Sequence, residues 1–282
     1  MRKILVWLLT AALSLCTGCA NLNFYSEEQE NSLGLEAYAE ATKEYPLITS
    51  GADYEMVQRV GKRIATASNK DYEWEFRLLR ADDTVNAFCL PGGKVAIYTG
   101  ILKFTQNENG LAAVMGHEVA HATMRHGGKR MTNATILQAT LAAVGAGLSM
   151  SKMTDAEKAG LMAAFGIGAQ VGIALPYSRG HETEADLEGV RYAIRAGYDP
   201  YESVKLWERM AQNGSGGPSW LSTHPDSMDR AKQLEAEIPR ILQEEGRSAP
   251  TQPQAMPVPV RRRSALSARS CNRYSARLVS MR

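Results

Sequence analysis

Cysteine and histidine are both scarce in this chain of 282 residues, with four of the first and five of the second. Cys16 and Cys19 close an apolar leader, so only Cys89 and Cys271 remain for the rest of the chain. That is too few for a disulfide framework, and no structural bridge is expected. Long apolar runs are missing as well. The leader run, Ile4 to Leu15, and two Ala- and Gly-rich stretches within residues 132–175 fall short of the roughly twenty residues a spanning helix needs. Basic charge is thin outside the two ends. Setting aside Arg2, Lys3 and the seven arginines after position 260 from the 32 basic residues leaves 23, against 30 acidic ones. A folded part that is net acidic offers no basic face to a nucleic acid, so nucleic-acid partners are excluded.

The two ends carry what the middle lacks. Arg2 and Lys3, the short apolar run and the small residues "CTGC" read as a secretory leader. With the cut falling just before a cysteine, residues 1–18 resemble a bacterial lipoprotein signal, with Cys19 as the lipidated residue. Ala20 after it implies sorting to the outer membrane. The expected location is the periplasmic face of that membrane, held by a lipid anchor at Cys19; an ordinary secretory signal would leave the chain soluble in the periplasm. Residues 249–282, opened by the Pro- and Gln-rich "APTQPQAMPVPV" and rich in arginine, read as a disordered basic tail. Between them, residues 19–248 are expected to form one domain.

Within that domain, residues 26–45 and 53–68 show helical spacing, as in Met56, Val60 and Ile64. "YEWEFRLLRA" and "KVAIYTG" alternate and favour strands, with "LPGG" as a turn, so residues 73–99 are expected to form a small β-layer. From Asn107 nearly to Glu245 the pattern is helical. The stretch 132–175 reads as a helical hairpin, Asp199-Pro200 as a helix start, and "NGSGGPSWLSTHP" as a long break before the last helix.

Three of the five histidines crowd into "GHEVAHATMRHG", residues 116–127. His117-Glu118-Val119-Ala120-His121 is the HExxH pattern. On a helix its two imidazoles share one face and can reach one zinc ion, with Glu118 bordering the open coordination position as general base. A catalytic zinc takes a third protein ligand. His126 comes nine residues after His117 and lacks the glycine that the HExxHxxGxxH arrangement carries. His181 has no spacing argument. Glu182 and Asp186 again stand four apart in "ETEAD". That spacing lets Glu182 bind the metal while Asp186 accepts a hydrogen bond from a ligand imidazole, which makes Glu182 the choice. Glu184 reads as a surface charge.

HExxH followed by ExxxD, with "NAFCLPGGKVAIYTGIL" before and "STHPDSMDR" after, resembles the HtpX/BepA-like zinc metallopeptidases, gluzincins related to the CAAX prenyl proteases. The resemblance covers about residues 30–245. It implies a mostly helical α+β zincin fold with a small sheet flanking the HExxH helix, and one zinc per chain. It also implies endopeptidase action on unfolded or misassembled envelope proteins. Asn86, Gly92 and Gly93 match the family's cleft-lining strand, where extended substrate pairs, and Cys89 is a buried thiol. His224 matches a histidine that approaches the metal, either blocking the water position or stabilising the oxyanion. Arg230 matches an arginine near the same site, a second candidate oxyanion donor. His126 is expected to cap the end of the HExxH helix.

Overall fold

The computed structural model describes residues 22–149, 154, 178–212, 220, 224 and 227–248. Helix α1, Glu27–Lys43, starts at Ser26, whose side chain accepts the Gln29 N–H while the Gln29 side chain returns to the Ser26 N–H. Helix α2, Ala52–Ser68, buries Val57, Val60, Ile64 and Ala65 along one face and ends at Asn69, whose φ of 52° reverses the chain.

The β-layer that follows has four strands: β1 (Leu47–Ile48), β2 (Glu75–Leu79), β3 (Ala87–Leu90) and β4 (Lys94–Tyr98), in the order β1-β2-β4-β3. β3 and β4 form the hairpin expected from "LPGG", with Cys89 opposite Val95. Its turn needs Gly92 and Gly93, since both sit at φ +80°, where a side chain is strained. A Cβ on Gly93 would also lie 2.9 Å from Tyr72 and Trp74. The sequence pattern did not disclose that β2 pairs with β4 in parallel, nor that β1 joins the sheet. β3 is left as an outer strand.

A 3-10 turn, Thr99–Ile101, and the short α3, Leu102–Thr105, lead to α4, Glu108–Thr123, whose first turn is capped by the Asn107 side chain accepting the Gly110 N–H. α4 carries HExxH. It is buried on nearly every side because α2, β3 and two later helices surround it. Those two are α6 (Arg179–Arg195) and α7 (Tyr201–Ala211); α5, His126–Ser149, lies between α4 and α6 in sequence, and α8, Ser227–Glu244, closes the described chain. α4 and α6 touch backbone to backbone. A Cβ on Gly116 would lie 2.6 Å from the Gly189 carbonyl oxygen, and one on Gly189 only 2.7 Å from the His117 nitrogen. This contact, one residue from the first histidine of the motif, lets α6 approach closely enough to bring its carboxylates to the α4 histidines.

α7 begins at Tyr201, one residue later than "Asp199-Pro200" implied, with Pro200 at the cap position. The Asp199 carboxylate still accepts the Tyr201 N–H at 2.9 Å. Of the expected hairpin within 132–175, α5 supplies the first arm, and the second lies outside the described residues. So do the leader, Cys19, Cys271, the basic tail and most of "NGSGGPSWLSTHP", from which Trp220 and His224 are described and buried. Among the described residues no helix is long and apolar enough to cross a membrane.

Candidate metal centre

His117 and His121, one turn apart on α4, point their Nε2 atoms at each other across 3.0 Å. α6 brings the Glu182 carboxylate to the same point, 3.3 Å from His121 Nε2 and 3.6 Å from His117 Nε2. His224, 103 residues beyond His121 in the chain, completes the group, with its Nδ1 3.2 Å from His117 Nε2 and 3.1 Å from both Glu182 oxygens. One ligand atom from each of these four residues lies within 4.8 Å of the others, and all four residues are buried. His126 and His181, the rival third ligands, are not in the group.

The outward atoms decide what this group can hold. His117 Nδ1 lies 3.0 Å from Asp186 Oδ1, so its hydrogen sits there and the Nε2 lone pair faces the cluster. Burial drives His121 far below the ordinary imidazole range, which keeps it neutral. Burial alone would raise the Glu182 carboxyl; the surrounding histidines outweigh it and hold the group well below the usual carboxylate range. Imidazole nitrogens and an ionised carboxylate converging in a buried space are a cation's donors, and nitrogen with carboxylate oxygen suits zinc.

Arg230 surrounds the carboxylates. Its Nε and Nη2 each donate to Asp186 at 2.7 Å, and Nη1 lies 2.5 Å from Glu182 Oε2, an ion pair off the hydrogen-bond direction. The guanidinium also stacks 3.6 Å over the Trp207 ring. Asp186, raised by burial, is brought below its ordinary value by that arginine and by His117. Arg230 is therefore turned onto the carboxylates that orient the donors, through Nε and Nη2 to Asp186 and through the ion pair of Nη1 with Glu182.

Glu118 stays outside the donor group. Its Oε1 accepts the Trp220 Nε1–H at 2.7 Å and lies 3.4 Å from His224 Nε2. Trp220 stacks on Trp207 at 4.8 Å and donates its backbone N–H to the Val85 carbonyl, just before the outer strand β3. Neither tryptophan was singled out from the sequence. Trp220 stands four residues before His224, the spacing that HExxH itself uses, and that was the available signal.

Asn86 sits half-buried at the start of β3, its carbonyl paired with the Tyr98 N–H. Gly92 and Gly93 are at the hairpin turn and are explained by its backbone angles. Cys89 is a buried free thiol, pushed well above its ordinary pKa by burial and by the Glu118 charge.

Two expectations need correction. His126 does not cap α4, which ends at Thr123 with Met124 as its cap; it is the first residue of α5, fully buried, with Nδ1 3.0 Å from His121 Nδ1. Burial, then the nearby His181, lowers its pKa to about 4. Glu184 is half-exposed but not merely a surface charge, since its Oε2 lies 3.1 Å from His126 Nε2.

A mostly helical α+β fold with a small mixed sheet beside an HExxH helix, and a carboxylate brought by a later helix into a group that could hold a metal, is a zincin-type metallopeptidase architecture. Residues 52–238 match the profile of Peptidase family M48, and the chain belongs to that family, whose metal is zinc. Among curated proteins it is similar to the mitochondrial metalloendopeptidase OMA1 of Schizosaccharomyces pombe, 36% identical over 226 residues, covering 77% of this chain and 63% of the relative. It is also similar to the beta-barrel assembly-enhancing proteases of Yersinia pestis (31% over 222 residues, 74% of this chain and 45% of the relative) and Escherichia coli K12 (30% over 202 residues, 67% and 41%). The chain thus spans about half the length of these relatives.

Proposed function

We propose that this chain is a zinc endopeptidase of the bacterial cell envelope that hydrolyses peptide bonds of unfolded or misassembled envelope proteins and rests in a latent state. The observation that carries the reading is the buried His117, His121 and Glu182 donor group with Glu118 beside it and outside it. The envelope setting draws on the likeness to the beta-barrel assembly-enhancing proteases and on the lipoprotein-like leader ending at Cys19. That leader implies a lipid anchor on the periplasmic face of the outer membrane.

His117, His121 and Glu182 would hold the zinc, which when bound supplies a Lewis acid that lowers the pKa of water and polarises a carbonyl. Glu118 is the base: its carboxylate takes the proton of the attacking water and passes it to the leaving amine. Asp186 fixes His117 in the Nδ1–H tautomer, and Arg230 holds Asp186 and Glu182 in place. Extended substrate adds beside β3, near Asn86 and the Gly92-Gly93 hairpin, through main-chain hydrogen bonds.

Latency follows from what Trp220 and His224 touch. His224 fills a place among the donors, and the Trp220 indole N–H occupies Glu118 Oε1. The Trp220 backbone takes up the Val85 carbonyl at the sheet edge, where substrate would pair. Trp220 and His224 thus engage the metal group, the base and the strand edge, and both must withdraw before cleavage.

Basal digestion of an unfolded protein is expected to rise in His224→Ala and in Trp220→Phe, with zinc content unchanged. The lost indole bond to a carboxylate is worth about 1.5–3 kcal/mol, so the rise for Trp220→Phe is about 10- to 100-fold. If His224 instead stabilises the oxyanion, His224→Ala lowers activity by roughly 100-fold or more. A second reading, an assembly factor or chaperone whose zinc site stays shut, is favoured by the same place of His224 among the donors. Absence of cleavage in both variants, with zinc bound, would support it over the protease.

A further inference from the structure

We infer that His126 and Glu184 form a relay that positions the ligand His121, so that a surface carboxylate controls how tightly the metal is held. The inference rests on the reading that His121 binds zinc through Nε2. That nitrogen faces His117 Nε2 and Glu182, which leaves Nδ1 of the neutral ring to carry the hydrogen. The atom it meets, at 3.0 Å, is His126 Nδ1. Two N–H groups cannot face each other at that distance, so His126 Nδ1 must be the acceptor. A neutral His126 then carries its hydrogen on Nε2, and this atom lies 3.1 Å from Glu184 Oε2. Each tautomer follows from the one before it.

The chain of contacts has a consequence for rigidity. His117 is oriented by a buried aspartate, Asp186, itself held by Arg230. His121 has a neutral imidazole in that position, a weaker acceptor than a carboxylate. Glu184 compensates by drawing on the far side of the His126 ring, which makes Nδ1 more electron-rich. The His126 ring has little freedom to turn: it is fully buried and stacks on His181 at 4.3 Å with 15° between the planes. Glu182 and Glu184 lie two residues apart on α6, so one helix supplies both a candidate ligand and the outer end of the relay. His126 and Glu184 are positioning residues, acting on the metal through His121.

The test uses the full zinc-loaded chain and competition with a chromophoric chelator. His126→Leu, which keeps bulk and removes the acceptor, should weaken zinc binding by about 10- to 100-fold. His126→Asn should restore binding to near the wild-type level, because the amide oxygen can stand where Nδ1 stood. Glu184→Ala, at a half-exposed position where folding is not at stake, should weaken binding in the same direction by less. Nitrogen-15 histidine NMR of a protein with five histidines reads the tautomers directly, with hydrogen on His121 Nδ1 and on His126 Nε2. A hydrogen on His126 Nδ1, or wild-type zinc affinity in both His126→Leu and Glu184→Ala, would overturn the relay. If His126→Leu does not fold, Glu184→Ala and the NMR tautomers decide. His121→Ala separates the two levels: zinc retained there sinks the ligand reading, whereas zinc lost there but kept in the relay variants sinks the relay alone.

Discussion

Glu118→Gln is expected to abolish proteolysis while keeping one zinc per chain and nearly normal stability. Glu118 is not among the donors, so its loss does not open the metal group. Glutamine has the same shape, and its amide oxygen can still accept the Trp220 indole N–H that now ends on Glu118 Oε1 at 2.7 Å. The amide cannot accept the proton of an attacking water or pass one to the leaving amine. Loss of a positioned base costs about 100- to 10,000-fold. The comparison is best made in the His224→Ala background, where the starting rate is expected to be higher. Metal analysis on the same samples separates a lost base from a lost ion. Cleavage by Glu118→Gln at the parent rate would remove Glu118 from the chemistry.

The second large effect belongs to Glu182. Glu182→Ala removes the anionic member of the donor group and also a carboxylate facing Arg230 Nη1, so zinc binding should fall by more than the roughly 10- to 100-fold expected for an outer partner. Asp186→Asn should fall in that 10- to 100-fold range, since the amide still accepts from His117 but pairs poorly with a buried guanidinium. His181→Ala, outside the donor group, should cost far less zinc affinity than Glu182→Ala, no more than a looser His126 ring loses. Full zinc content in Glu182→Ala, measured after dialysis against a weak chelator, would overturn the assignment of the third ligand.

What could be read from the sequence was what helical spacing encodes. HExxH and ExxxD each place their residues one turn apart, and the structure joins the two on α4 and α6. The helices at 27–43 and 52–68 and the Gly92-Gly93 turn were legible for the same local reason. The parallel pairing of β2 with β4 was not, because pairing across an intervening strand leaves no mark on either strand's alternation. Nor was the Gly116 and Gly189 contact, in which two glycines matter only through each other. The nearness of His126 to the end of α4 suggests a cap, while its partner Glu184 lies 58 residues away. Trp220 reaches Glu118 across 102 residues, and nothing local marks an indole as the partner of a base.

The most direct measurement follows digestion of casein by the full chain and by its His224→Ala variant before chelation, after chelation, and after one equivalent of zinc is returned. The expected result is cleavage that is stronger in the variant, stops when the metal is stripped, and returns with the zinc. Cleavage that continues in protein shown by metal analysis to be zinc-free would contradict a zinc endopeptidase built on His117, His121 and Glu182.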